Sequence, residues 1–421
     1  MKAGDQLAET IRIEGAGLLA TLTRIVGDLS VAEEAVQEAA VAALRDWQVH
    51  GVPDSPRAWL TTTGRRKAID ILRREHARLS KERSGVELMD QSRSDDPPDT
   101  VLTDDLLRLI FTCCHPSLSP EARLALALRT LCQLSTRQVA AVMLTSESAV
   151  IKRLTRTRQK IALARIPYRV PADSELPERL VAVCGVVHAL YTAGHSPPGG
   201  EDLISVDLCL EGLRLARLLH ELLPDEPMPA AVLALILLTE GRRPARLTDK
   251  GDVVLLSDQD RSSWDKAMIA EGQNLLAYSL RRTGAVADPY QLQAAIAAEH
   301  DRAPNYHGTD WNEIIRLYDL LLSVAPSAPA ALSRAVAIAE RDGPASGLAT
   351  LVGQPPSHRW HAVRSELLAK QGRYNEAVAA VTESLTGDLT GPERRFREGR
   401  RAIFLTSEPR PSATMNACSY P

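Results

Sequence analysis

Basic side chains on two helical stretches are the residues of this chain whose types and spacing indicate a chemical role. The first stretch, residues 134–161, reads LSTRQVAAVMLTSESAVIKRLTRTRQKI. Between residues 123 and 169 there are ten Lys or Arg and a single acid, Glu147, although the whole chain has a net charge of −3. Clustered lysine and arginine neutralise the phosphates of nucleic acid. The stretch therefore predicts a phosphate-facing surface.

The order of polar and apolar residues in this stretch predicts two short helices joined by a tight turn. Ser135 and Gln138 have the spacing of a capping box, and Ser146 offers an N-cap to the second helix. Val150 and Leu154 recur at helical spacing and should face a core. The outer face is then formed by Ser148, Lys152, Thr155, Arg156 and Gln159. Such a helix suits a DNA major groove, and an amphipathic helix pair with a solvated basic face is the alternative.

A second basic patch lies upstream, on a predicted helix that begins at Arg57. Residues 57–83 contain nine bases and three acids. The helix before it is predicted to start with a capping box formed by Ser30 and Glu33 and to end near Trp47. Its polar residues Glu34, Gln37 and Glu38 have a solvated acidic face as their ordinary interpretation.

An acidic stretch separates the two basic patches. Residues 84–105 contain seven acids and one base. This stretch also contains Pro97, Pro98 and several serines, a composition typical of linkers. We predict an acidic flexible linker over residues 84–104.

Composition favours an all-α fold and excludes several classes of protein. Aromatic residues make up only 4% of the 421 residues, and no apolar run is long enough to span a membrane, so we expect a cytoplasmic protein without membrane contacts. The six cysteines, including the Cys113–Cys114–His115 run, are interpreted as buried thiols, with no metal site and no cofactor. No catalytic constellation stands out, which predicts that the chain is not an enzyme.

Three motifs in this order resemble bacterial RNA polymerase sigma factors of the extracytoplasmic-function (ECF, sigma-70) family. GDLSVAEEAVQEAAVAAL resembles region 2.2, and PRAWLTTTGRRKAIDILRRE is similar to regions 2.3–2.4. The stretch from SPEARLALALRTLCQLSTRQ to the end of the second helix resembles region 4. The resemblance implies promoter DNA and core RNA polymerase, through its β′ clamp helices and β flap, as partners.

Carried over position by position, the resemblance implies three groups of site residues. The residues implied to bind polymerase are Glu34, Gln37 and Glu38. Those implied to line the −10 promoter element are Arg65, Lys67, Asp70, Arg73 and Arg74. Those implied to meet the −35 element are Ser148, Lys152, Arg153 and Arg156.

A further helical region follows, and the whole chain resembles the ECF subgroup with a C-terminal TPR-like extension. ELLAKQGRYNEAVAAVTESL has the spacing of a TPR helix pair. Such repeats present a concave face, on which we expect a protein partner. The predicted domains are region 2 at 1–83, the linker at 84–104, region 4 at 105–168, the extension at 169–407 and a disordered tail at 408–421. The function expected is promoter-specific initiation by a sigma factor with a fused regulatory domain; the alternative is a TPR-type scaffold or a DNA-binding regulator.

Overall fold

The protein is described from a computed structural model, which covers residues 3–80, 99–143, 145–197, 199–284 and 286–407. The predicted all-α fold is confirmed, since the described residues form helices and no strand. The packing divides the chain into two compact units, residues 1–190 and 191–421. Most of the predicted linker (84–98) and the predicted tail (408–421) lie outside the described residues.

The first unit contains the helices that carry both basic patches. Their bounds are α1 Ala3–Val26, α2 Leu29–His50, α3 Pro56–Ser80, α4 Asp99–Cys113, α5 Pro120–Thr130, α6 Thr136–Val142, α7 Glu147–Leu163 and α8 Leu176–His195. Helix α4 begins inside the stretch predicted as linker. The division between the units falls within α8, after the boundary predicted at residue 168. The first part of α8 belongs to the first unit, where Arg179 donates a hydrogen bond of 2.7 Å to the carbonyl of Phe111 on α4.

Helices α1, α2 and α3 pack on one another around a shared core. The chain turns between α1 and α2 at Gly27, whose φ of 73° lies in the left-handed region that glycine adopts readily. The capping box predicted for Ser30 and Glu33 is wrong. Helix α2 starts two residues earlier, and the Asp28 carboxylate accepts from the backbone N–H groups of Ser30 and Val31 at 2.7 and 3.1 Å. Glu33 is thereby free to make a different contact.

The second unit is built from helices that pack mainly on their neighbours in sequence. Their bounds are α9 Val206–Leu222, α10 Pro227–Glu240, α11 Lys266–Arg282, α12 Pro289–Arg302, α13 Trp311–Val324, α14 Ala328–Asp342, α15 Pro344–Thr350, α16 His358–Lys370, α17 Tyr374–Ser384 and α18 Gly391–Thr406. Helix α10 is buried along most of its length. The helix pair predicted near the end is present as α16 and α17, which turn at Gly372 (φ 78°). Its assignment as a TPR motif stays a prediction.

Buried polar contacts hold the long connection between α10 and α11 in the second unit. The Tyr191 hydroxyl donates to the buried Glu240 carboxylate at 3.1 Å. Arg261 donates to the carbonyls of His300 and Ala303 at 2.5 and 2.7 Å, and its guanidinium lies 4.6 Å from the Trp264 ring centroid. The Arg261 bonds fasten the connection to the end of α12, so Arg261 has a structural role, and the Tyr191 bond ties the last residue of α10 to α8.

Two helix glycines of the second unit provide a matched test of this packing. A Cβ on Gly212 would lie 2.9 Å from the Cα and Cβ atoms of Tyr191, whereas a Cβ on Gly399 would meet nothing within 4 Å. We expect Gly212→Ala to destabilise the unit by about 1–3 kcal/mol, because the backbone at Tyr191 or at position 212 must shift to make room for the added Cβ. Gly399→Ala should stabilise it by up to about 1 kcal/mol through helix propensity. Urea unfolding followed by circular dichroism measures both, and equal effects would contradict the close approach.

Candidate nucleic-acid interface

Helices α6 and α7 form the helix-turn-helix predicted from the sequence. The capping box is present, since Ser135 Oγ accepts from the Gln138 N–H at 3.2 Å and Gln138 Oε1 accepts from the Ser135 N–H at 2.9 Å. Ser146 caps α7 by accepting from the Ala149 N–H at 3.2 Å. Val150 and Leu154 are buried, as expected. These local bonds fix where α7 begins and which face it buries.

The outer face of α7 presents the cations predicted to meet DNA. Ser148, Lys152 and Arg156 are exposed. Lys152 and Arg156 have no ion pair or hydrogen bond to any residue in the described parts of the chain, so their charges are free for an external anion. Arg153 is half-buried, and its guanidinium lies 3.9 Å from the sulfur of Met143 on the turn side. It is the member of this group with the least access to a ligand.

A concave surface of about 420 Å³ lies between α7 and the start of α5. Lys152, Arg153 and Arg156 line it together with Lys160 and the N-cap residue Ser119. Lys160 was not among the predicted site residues, although helical spacing places it one turn beyond Arg156 on the same side. Its ammonium donates to the carbonyl of Ser117. Four cations converging on a hollow make an arrangement suited to a phosphate backbone.

The three polar residues of α2 that resemble a polymerase anchor differ in their surroundings. Glu34 and Gln37 are exposed. Glu38 is half-buried and pairs with two cations of α3, Lys67 at 3.4 Å and Arg74 at 3.0 Å. The hydrogen bond from Arg74 lowers the pKa of the Glu38 carboxyl below its ordinary value. Glu38 therefore joins the predicted polymerase face to the predicted −10 face.

The five α3 residues predicted to line the −10 element do not form a single cluster. The structure brings Lys67 and Arg74 together through Glu38, and Asp70 and Arg73 are exposed beside them. Arg65 is half-buried and lies about 200° around the helix from Lys67, because successive residues are about 100° apart. The basic side chains of α3 thus occupy more than one face.

The contact of Glu33 with Arg158 is a feature that sequence reasoning missed. Arg158 Nη2 on α7 lies 2.5 Å from Glu33 Oε2 on α2, with 22% and 14% of the two side chains exposed. Burial raises the pKa of Glu33, although Arg158 and Arg129 act in the opposite direction. No local pattern could reveal this pair, since 125 positions separate its members in sequence.

The cysteines near region 4 are buried, as interpreted from the sequence. The Cys113 thiol lies 3.1 Å from the Thr130 hydroxyl, and burial raises its pKa to about 12. Burial also raises the pKa of the adjacent Cys114. Thiols in this state are protonated near neutral pH. None of the helices in the described ranges is long and apolar enough to cross a membrane.

Comparisons with known proteins match three segments of the chain. Residues 12–78 match sigma-70 region 2, residues 108–161 match sigma-70 region 4, and residues 179–280 match a family of unknown function, DUF6596. The region 2 match runs from within α1 to near the end of α3, and the region 4 match runs from within α4 to near the end of α7. No solved structure matches the chain.

Two relatives illustrate the extent of the similarity. An uncharacterized protein of Rhizobium meliloti is 39% identical over 87% of this chain and 88% of its own length. A probable ECF RNA polymerase sigma factor, SigI, of Mycobacterium tuberculosis is 30% identical over 42% of this chain and 62% of its own length. Region 2 precedes region 4 along the chain, and each matched region contains one of the two helices that carry the basic patches. The chain therefore belongs to the ECF type of the sigma-70 family, with regions 2 and 4 followed by a further C-terminal segment.

Proposed function

We propose that this chain is a sigma factor that binds core RNA polymerase and directs it to promoters. The observation that carries the proposal is the outer face of α7, where Lys152 and Arg156 are exposed and without a partner among the described residues. Exposed cations on a short, capped helix can contact base edges in the major groove and the phosphates beside it. In this proposal α7 meets the −35 element, and Ser148 and Arg153 contribute at its edges.

The same proposal assigns α2 and α3 to polymerase and to the −10 element. Glu34 and Gln37 are available to an external partner because both are exposed. Glu38 is included as an anchor residue that also pairs with Lys67 and Arg74. Asp70 and Arg73 extend the −10 surface beside Lys67 and Arg74, and Arg65 contributes from a second face of α3. Strand separation near this helix exposes single-stranded DNA to its cations.

An apolar groove on region 4 is our candidate for the contact with the β flap. It has a volume of about 510 Å³ and lies between the α5–α6 region and α8. Leu124, Met143 and Val186 line it, and Val181 at its edge is 56% exposed. A groove of this type can take the apolar side of a polymerase element. Polymerase would then hold both regions, each through its own surface.

We further propose that the C-terminal unit regulates initiation by binding a protein partner. The unit has its own buried cores, including one formed by α10, α11 and α12 around Trp264. Promoter recognition does not use these helices in our account. Stacked helices of this kind present extended surfaces that suit protein ligands.

A pair of double variants separates the two binding activities of the first unit. Lys152→Ala with Arg156→Ala should lower run-off transcription from a promoter that depends on its −35 element while binding to core polymerase stays normal. Each lost contact should cost about 1–3 kcal/mol. Glu34→Ala with Gln37→Ala should instead weaken binding to core polymerase, measured by co-purification. The second pair avoids Glu38, whose loss would also disturb Lys67 and Arg74.

The two double variants serve as controls for each other. Arg359→Ala, at an exposed position on α16, removes a cation from the second unit and should leave both activities unchanged. If the α7 variant lost core binding as strongly as the α2 variant did, α7 would be a structural helix and the assignment of its outer face would be wrong.

Removal of the C-terminal unit tests the proposed regulation. The shortened chain should end after His195, so that α8 is kept whole for its contacts with the first unit. We expect this fragment to bind core polymerase and to change the rate of initiation several-fold relative to the full chain. The measurement is run-off transcription at equal concentrations of holoenzyme. Equal rates for the fragment and the full chain would contradict a regulatory role.

A further inference from the structure

The connection between α10 and α11 reaches the last helix of the second unit. Arg395 of α18 donates to the carboxylate of Asp252 at 3.1 Å and to the carbonyl of Gly251 at 3.3 Å, although 143 positions separate Arg395 from Asp252. Val253 comes next in the chain and lines a hollow of about 200 Å³ between the connection and helices α16 and α18. Residues 246–258, which make these contacts, are called the strap below.

The strap completes backbone hydrogen bonds within itself. The Thr248 N–H donates to the carbonyl of Asp252 at 3.0 Å, and the Val254 N–H donates to the carbonyl of Arg246 at 2.9 Å. The ion pair that ties the strap to Arg395 is open to water, since the two side chains are 54% and 53% exposed. Pairs this exposed add little stability. The strap can therefore leave α18 without losing its internal backbone bonds.

Helix α18 is held in place by contacts that do not involve the strap. Thr390 and Glu393 form a capping box at its start. The Gly391 N–H donates to the carbonyl of Gly200 at 2.8 Å. Near the other end of the helix, Phe404 is buried in a core shared with α16 and α17. The surface beneath the strap is therefore preformed.

That surface contacts backbone, charge and an apolar side chain in succession. Arg395 binds the carbonyl of one residue and the carboxylate of the next, and the hollow takes the side chain that follows. Arg400 pairs with Glu366 at 2.6 Å, which raises the pKa of its guanidinium, and Asp258 of the strap acts in the same direction. Backbone contacts combined with side-chain pockets are typical of sites for extended peptides. The α18 surface, as we call it, consists of Ala362, Ser365, Val381, Arg395, Phe396 and Arg400.

We propose that the α18 surface is the docking site for a protein partner and that the strap occupies it in the free protein. The partner presents an extended segment in which an acidic residue is followed by an apolar one, as Asp252 and Val253 are in the strap. This inference rests on the proposed regulation through the C-terminal unit and names the site and the chemistry of the partner. The strap is a tethered competitor with a high effective concentration, so a partner must displace it to bind.

Peptide binding to the full chain tests the α18 surface. The probe is a fluorescent synthetic peptide with the sequence of residues 248–258, TDKGDVVLLSD, and fluorescence anisotropy measures its binding. The wild-type chain should bind this peptide weakly, because its own strap competes. Asp252→Ala with Val253→Ser, made in the chain and not in the peptide, weakens the strap and should tighten peptide binding severalfold.

A matched change elsewhere in the strap controls for a general disturbance of the connection. Asp249→Ala with Leu255→Ser also removes one carboxylate and one apolar side chain, at exposed positions outside the hollow. This variant should bind the peptide as weakly as the wild-type chain does. Circular dichroism checks that each variant remains folded.

Charge reversal identifies the cation that binds the peptide. When it is added to the variant with the weakened strap, Arg395→Glu should abolish the gain in affinity. A peptide that carries Asp252→Arg should recover binding to this charge-reversed chain. Arg394→Glu, at a neighbouring exposed position of α18, makes the same change in charge and should leave binding of the original peptide tight.

The outcomes separate the α18 surface from the proposed regulation. Tighter binding by the weakened strap, lost with Arg395→Glu and kept with Arg394→Glu, supports the surface. Equal binding by the wild-type chain and the weakened strap, or equal losses with the two charge reversals, would overturn it. Binding of labelled single-stranded DNA in place of the peptide, if it depended on Arg395, would overturn it as well. None of these assays uses polymerase, so equal initiation rates after removal of the unit would contradict the regulatory role alone.

Discussion

Burial of the Glu33 carboxylate is the constraint on which the arrangement of the first unit depends. The carboxylate lies between α2 and α7 with Arg158 and Arg129 as its compensating charges. Burial raises its pKa despite both cations, which indicates that desolvation outweighs their attraction. Such a pair adds little net stability, yet loss of one partner typically costs about 3–5 kcal/mol because the other charge stays buried. The pair therefore specifies how the two regions meet more than it stabilises either of them.

The cost of burying an unpaired charge also explains why some basic side chains of this unit are paired and others are exposed. Cations that turn towards the core or towards α2 are paired, as Arg158 is with Glu33 and as Lys67 and Arg74 are with Glu38. Those on the outer face of α7 are exposed. Polymerase binding at α2 and DNA binding at α3 are linked in our account because one carboxylate, Glu38, belongs to both surfaces. In that proposal, a partner that binds at Glu38 changes the electrostatic surroundings of Lys67 and Arg74.

Local sequence patterns predicted the elements well and their long-range contacts poorly. The Ser135–Gln138 capping box, the Ser146 cap and the buried Val150 and Leu154 were all readable, because caps and helical periodicity act over a few residues. The start of α2 was misassigned because Asp28 and Ser30 are both good N-cap residues, and Asp28 provides the cap. The capping-box prediction gives Glu33 a local role, although its partner Arg158 lies far along the chain. Contacts between residues far apart in sequence depend on how the helices pack, and helical periodicity does not reveal which helices come together.

Transcription from a promoter is the most direct measure of the central claim. The full chain, added to core RNA polymerase of the source bacterium with fragments of its genome, should produce discrete run-off transcripts that core enzyme alone does not make. Their yield should fall steeply as salt is raised, because the proposed contacts neutralise phosphates. If the chain neither co-purifies with core polymerase nor changes the transcripts, it is not a sigma factor, and a scaffold or a separate DNA-binding regulator is the better account.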